Sequence, residues 1–372
     1  MNNSIDISKF ERNSEFYGKL DLLLTVKNFD LQSIRKRYLE SVKNVSGRTG
    51  SVERRKVADG GLVELTLENG KIKNSTVLGM FKEPRGIALA DGVFAFSSEN
   101  RVYVLNKGTI DTLDYEWFSY IHTVDFSPFN SSRLLVSSSG FDALFEFDLV
   151  AKEKCFEWFA WENGFDKGVD PETGKDIYLT RDPVIAKRHL EENIPFIEIK
   201  DPVSEVLPTA KRAAFINSVV YDASNEGCLL ATFFHEGAVY SVDQSNGNVK
   251  KLIGGLKKPH GAKNYGDVKM VTSTGTGEVV VFSKDQEKRY SFSNLEGKPD
   301  FLKDMEWVQN TIQNKNIMIG LDSNRTSFVI FDPEQELYDT IDYDSNWAIQ
   351  DAVLGSLDPE QKKEVKKVSN QD

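Results

Sequence analysis

The chain holds four histidines. Three of them belong to repeated β-like units: His122 and His260 in the first-strand segments IHTVDF and PHGAKN, and His235 in the turn between the second and third strands, TFFHEGAV. The fourth, His189, stands in an amphipathic stretch, RDPVIAKRHLEEN. Imidazole titrates near neutrality and, when neutral, ligates transition metals. His122, His260 and His235 are therefore the expected acid/base groups of a catalytic site, or the ligands of a divalent metal, although no HxH or HxxxH spacing preassembles a metal centre. Arg85, Lys303 and Arg325 offer the complementary chemistry, positive charge for a carboxylate, phosphate or sulfate. Asn217 and Gln350 supply neutral hydrogen bonds, and Asp304, Glu306 and Asp351 are alternative carboxylate bases.

A repeated unit brings residues this far apart together. Five times an alternating segment is followed by a second apolar segment, a tight turn and a third segment ending near Asp. The units are PRGIAL with GVFAFSSENRVYVLN, IHTVDF with RLLVSSSGFDALFEFD, INSVVY with CLLATFFHEGAVYSVD, PHGAKN with VKMVTSTGTGEVVVFS, and LKDMEW with NIMIGLDSNRTSFVIFD. Runs rich in Val, Phe, Tyr, Ile and Leu, separated by Gly, Asn, Asp and Ser, are strand and hairpin chemistry. A sixth first strand, IQDAVL, begins at Ile349 with almost no chain left to complete its unit. The missing strands stand at the other end, as LDLLLTVKN, LVELTLENG and KIKNSTVLGM. The predicted fold is all-β, a six-bladed β-propeller forming a single domain over residues 1–372. Its N- and C-terminal strands share one blade, which leaves no open edge between the first and last blades.

Two insertions, at about residues 28–61 and 162–212, are expected on the funnel face as a lid. The first holds FDLQSIRKRYLESVKN and SGRTGSVERR, whose Arg48, Arg54 and Arg55 add positive charge. Aligning the six first strands yields one polar column, Arg85, His122, Asn217, His260, Lys303 and Gln350, predicted to line the channel mouth because side chains alternate along a strand. The second-to-third-strand turns add Glu99, Asn100, Asp142, His235, Thr276, Glu278 and Arg325. The funnel thus divides into a histidine half and a cationic half. Trp307 and Trp347 are expected to pack between blades, and GTGTGE, lying between two strands, reads as a hairpin turn and not a phosphate loop.

With 46 Lys+Arg against 57 Asp+Glu the formal charge is −11, which argues against nucleic acid as a partner. Hydrophobic residues make up 40% and charged residues 28%, the composition of a folded domain. No run approaches a membrane span, no secretory signal opens the chain, and Cys155 and Cys228 read as buried thiols in a cytoplasmic protein. The closing KKEVKK reads as a solvated tail.

At the level of blades the chain resembles the six-bladed propellers of the NHL, strictosidine-synthase-like and gluconolactonase-like group. PHGAKNYGDVKMVTSTGTGEVVVF and FLKDMEWVQ…IMIGLDSNRTSFVIFD are most similar to an uncharacterised bacterial propeller family. The resemblance implies the fold and not a reaction. The Glu, Asn and Asp that hold an axial metal in gluconolactonase-like enzymes find a counterpart here only in Asn217, which disfavours a calcium lactonase. The functional expectation is an enzyme, a hydrolase or a lyase/isomerase, acting on a small anionic molecule in the axial funnel. The alternative is a noncatalytic propeller that docks a protein partner or senses a metabolite.

Overall fold

The apolar runs fold as antiparallel meanders, and the computed structural model describes residues 4–41, 43–53, 56–106 and 108–369. Six sheets have four or five strands, and a seventh has three. The innermost strands of the six larger sheets are Ile87–Ala90, Ile121–Phe126, Ile216–Tyr221, Pro259–Tyr265, Val308–Asn314 and Ile349–Leu354. Each packs beside the next, and the last packs against the first. The result is a propeller-like, mostly β molecule around an axial channel. Strand Ile349–Leu354 pairs antiparallel with Lys19–Val26, which continues into Asp59–Glu68 and Lys71–Lys82. Apolar faces of neighbouring sheets interdigitate, as where Leu22, Leu24, Val63 and Leu65 meet Ile319, Leu321, Phe328 and Ile330.

One local device recurs around the ring. The pairing register of the innermost strand shifts between Ile121 and Thr123, Ile216 and Ser218, His260 and Lys263, Val308 and Asn310, and Ile349 and Asp351. A β-bulge of this kind leaves an extra residue outside the ladder and re-aims its side chain. The bulged residues include His122, Asn217, Gln309 and Gln350. A hydroxyl on the second strand then takes the loosened backbone. Ser97 Oγ accepts from Gly86 N (2.8 Å) and donates to Ile121 O of the next sheet (3.0 Å). Thr25 Oγ1 donates to Arg85 O (2.6 Å), Thr232 Oγ1 accepts from Ala262 N (3.0 Å), and Thr272 Oγ1 donates to Thr311 Oγ1 (2.9 Å). In the second sheet Thr123 carries the link, accepting from Val219 N at 2.9 Å. At the remaining junction Asn310 Nδ2 donates to Asp351 Oδ1 (2.7 Å).

The fifth unit corrects the sequence reading. Its innermost strand is VQNTIQN, not LKDMEW, so the axial column takes Gln309 where Lys303 was expected. Lys303 is exposed at the end of the short 3-10 turn Asp300–Leu302. VQNTIQN is polar enough to be passed over because its inner face lines a channel and not a core. Two further expectations change. Cys155 is exposed, and Cys228 is partly so, although both are free thiols. KKEVKK belongs to a helix, Pro359–Ser369, whose Val365, Val368 and Gln361 are buried. That helix packs against Lys71–Lys82. At the other end, Ile5–Asp6 and Glu11–Arg12 add parallel to the outer strands of the fourth and fifth sheets, covering their edges.

The first insertion carries helix α1, Leu31–Ser41. The second forms the three-stranded sheet Lys167–Val169, Asp176–Thr180 and Phe196–Glu198, with helix α2, Pro183–Glu191. The insertions meet where Ala210 N donates to Ser51 O (3.2 Å) and Arg48 Nη1 to Ala213 O (3.1 Å). Arg54 and Arg55 lie outside the described residues. No helix among the described residues is long and apolar enough to cross a membrane.

Because Val365 is fully buried, Val365→Ala is expected to lower unfolding free energy by roughly 2 kcal/mol. Urea denaturation measures this, and an unchanged midpoint would return the segment to a solvated tail.

Candidate functional site

The bulges, with the residues just before them, build a cavity of about 160 Å³ at the axial mouth beneath α1. Two residues before the column, Glu83, Tyr120, Phe215 and Lys258 all have positive φ (42°, 48°, 50° and 55°). Non-glycine residues adopt this conformation at a cost. Here it turns three side chains, Tyr120, Phe215 and Lys258, into the cavity wall. The column contributes Arg85, His122, His260, Gln309 and Gln350, while the insertions contribute Ile34, Arg37, Tyr38, Thr209 and Arg212.

The lining is cationic on an aromatic frame. Lys27, Arg37, Arg85, Arg212 and Lys258 face the cavity, and among its described lining residues none is Asp or Glu. Arg85 is pinned by Glu83 (Nη2–Oε2, 2.7 Å) and directs Nη1 to Gln350 Oε1 (3.3 Å). Lys27 Nζ reaches the same Gln350 oxygen at 2.9 Å. The guanidinium of Arg212, fully buried, lies over Tyr120 (4.6 Å) and Phe215 (5.0 Å), an arrangement in which ring quadrupoles partly replace water. Lys258 Nζ donates to the Tyr38 hydroxyl at 2.6 Å, and burial with Lys257 nearby pulls its amine down to about 8. The Tyr38 ring lies against Trp307, tilted by 31° with centroids 4.8 Å apart. Arg35, on the same helix, fastens it by donating from Nη2 to Asn324 O at 2.9 Å.

His122 and His260 both border this cavity. His122 Nδ1 faces Tyr120 O at 3.0 Å, which places the proton there and leaves Nε2 as an acceptor, 3.4 Å from Arg85 Nη1. His260 Nδ1 sits between Thr274 Oγ1 (2.8 Å) and Lys258 O (3.2 Å). Its Nε2 has no partner among the described residues. Burial, reinforced by Arg85, holds His122 well below its ordinary range, and burial with Lys27 holds His260 at about 3. Both rings are neutral.

The structure does not gather every expected residue. His235 lies in an adjoining cleft with Arg48 and Lys257, Nε2 beside Thr209 O at 3.3 Å. Burial and the charge of Arg48 hold it at about 3. Among the described residues no three His, Cys, Asp or Glu side chains converge as a metal-ligand set. The expected His122–His235–His260 centre is thus not assembled, because His235 opens to a different cleft from the cavity that His122 and His260 line. Arg325 is turned away from the axis into an ion pair with Asp322 (2.8 Å) and a bond to Leu295 O (3.0 Å). Asn217 donates to Pro259 O at 2.8 Å, and Asp142 accepts from Ala214 N and Ile216 N at 3.0 and 3.1 Å. Both hold strands. His189 is sandwiched between Tyr178 and Phe196. Trp307, expected between blades, lines the cavity against Tyr38 and donates from Nε1 to Gln309 Oε1 at 2.9 Å. Sequence reasoning missed Lys27, Arg37, Arg212 and Lys258, although Lys258 stands at the same offset from His260 as Tyr120 from His122.

No protein-family model and no curated protein sequence matches the chain. Among solved structures, a chain of the nidogen/laminin complex superposes with a TM-score of 0.53 at 10% identity, over 90% of this chain and 98% of that one. A protein of unknown function from Bacteroides caccae gives 0.52 at 10% identity, again over 90% and 98%. At such identity the likeness concerns the fold alone, and it defines the class as propeller-like, all-β.

The buried neutral histidines set an acid limit. An unfolded chain protonates histidine near pH 6.5, whereas folded His260 stays neutral down to about 3, so the unfolded state binds more protons between these values and stability falls as pH drops through that window. His260→Gln is expected to lose stability less steeply than the wild type between pH 6 and 4, by up to roughly 1 kcal/mol per pH unit. Urea melts at each pH measure the difference, and parallel slopes would contradict it.

Proposed function

We propose that the chain is a six-bladed propeller of the NHL-like group, cytoplasmic, and an enzyme acting on a small anionic metabolite in the axial cavity. The observation that carries this reading is a cavity with five lysines and arginines and no Asp or Glu among its described lining residues, in a protein of net charge −11. Such a site concentrates anions and holds them with charge-assisted hydrogen bonds. Arg85, Lys27, Arg37, Arg212 and Lys258 hold the acidic group, Gln350 and Gln309 orient it, and the Tyr38, Tyr120, Phe215, Phe234 and Trp307 faces take an apolar body. His260, whose Nε2 has no partner among the described residues, is the base, and His122 is its partner near Arg85. An anion bound here raises both imidazoles toward a useful range, which suits proton transfer in a hydrolase or a lyase/isomerase. Two free thiols are consistent with a reducing compartment.

Titration of the full-length protein with phosphate, sulfate and aromatic carboxylates by calorimetry tests the anion site. Arg212→Met is expected to weaken binding on the order of tenfold or more. Since anion binding favours protonated Lys258, which titrates at about 8, affinity is expected to fall as pH rises through that value and to fall less in Lys258→Met. Absence of anion binding in the wild type overturns the reading.

A noncatalytic propeller that docks a protein or senses a metabolite is the second reading, favoured by the nidogen neighbour, solved in complex with laminin. His260→Asn separates the two. For an enzyme, turnover of the bound anion drops about a hundredfold or more while affinity stays. A sensor binds with the same affinity and shows no turnover in either form.

A further inference from the structure

The axial channel has a second end, and it is built differently. Away from the lid, the innermost strands enclose a cavity of about 300 Å³. Three charged side chains line it, from alternate sheets: Asp125 from the second, Lys263 from the fourth and Asp351 from the sixth. Asp351 is buried, and Asp125 and Lys263 are partly exposed to the channel. Among the described residues the Lys263 ammonium makes no hydrogen bond or ion pair, so the three charges face a common space without touching. Each acid is held from behind. Asp125 Oδ2 accepts from Tyr221 N at 2.9 Å, and Asp351 Oδ1 accepts from Asn310 Nδ2 and Ala352 N at 2.7 and 2.8 Å. Asn264, also on the wall, is fixed by donating to Tyr221 O at 2.8 Å.

Oriented carboxylates and an amine held apart are electrostatically incomplete. Burial raises Asp125 to about 7 and lowers Lys263, their mutual attraction across the cavity offsetting only part of the lost water. The missing partners are a cation between the two acids and an anion at the lysine, joined closely enough to fit one cavity. We infer that this mouth is a second binding site, for a free α-amino acid, whose ammonium lies between Asp125 and Asp351 and whose carboxylate meets Lys263. No residue of this site lines the lidded cavity, so the inference stands apart from the reading given there.

Calorimetry and thermal melts of the full-length protein with the twenty amino acids test it, with glycinamide, N-acetylglycine, methylamine and acetate as probes that each lack one charge. At least one amino acid is expected to bind and raise Tm. Amidation or acetylation of glycine, or removal of one charge as in methylamine and acetate, is expected to weaken binding roughly tenfold or more relative to that amino acid. Lys263→Gln and Asp125→Asn should each do the same, while Lys258→Met in the lidded cavity leaves it unchanged. Three results overturn the inference: no amino acid binds, methylamine alone binds as tightly as the amino acid, or Lys263→Gln/Asp125→Asn binds like the wild type. The blocked probes decide the case on wild-type protein even if a variant fails to fold.

Discussion

The structure depends on a hydroxyl that sits one strand out from the axis. Bulging the innermost strand turns a polar side chain to the channel, but it pulls backbone N–H and C=O groups out of their ladder, and such groups are costly when buried. Thr25, Ser97, Ser137, Thr232 and Thr272 occupy equivalent places on the second strands. They satisfy the bulge, and most also reach the next sheet. One small side chain thereby permits the bulge and joins neighbouring sheets. In the fifth sheet the equivalent residue is Leu321, and the task passes to Asn310.

From that belt follows the charge distribution. The net charge is −11, while the cavity beneath α1 collects guanidinium and ammonium groups around aromatic rings. Concentrated positive charge destabilises a fold unless it is compensated. Glu83 behind Arg85, the Tyr120 and Phe215 faces under Arg212, and the carbonyls bound by Arg35 and Arg48 supply part of the compensation. The neutrality of His122 and His260 follows first from burial and then from the same cations, since an imidazolium beside Arg85 or Lys27 would add like charge. The left-handed residues at the cavity rim belong to this arrangement as well, because their strain persists only where the surrounding ring over-determines them.

Much of this was legible in residue order. Alternating apolar runs with Asp- and Gly-marked turns gave five repeats, and IQDAVL without a sequel, set against LDLLLTVKN without a precursor, pointed to termini in one sheet. The polar column at Arg85, His122, His260 and Gln350 was visible as well, because a strand that lines a channel keeps polar side chains where a core strand would not. The recurring Ser or Thr on second strands was a further readable signal, as in SSS at Ser137 and VTS at Thr272.

Sequence by itself therefore determined the repeat, the closure and most of the axial column, since these rest on side-chain alternation and turn chemistry, which are local. Tertiary structure decided which charges share a space. Lys27, Arg37 and Arg212 enter the cavity from the closing sheet and from two insertions with no repeat to align them, and Arg325 leaves it because it pairs with Asp322 on its own turn at 2.8 Å. Lys303 gave way to Gln309 because the fifth inner strand is nearly as polar as a loop, so that only its pairing with Ile317–Asp322 reveals it as a strand.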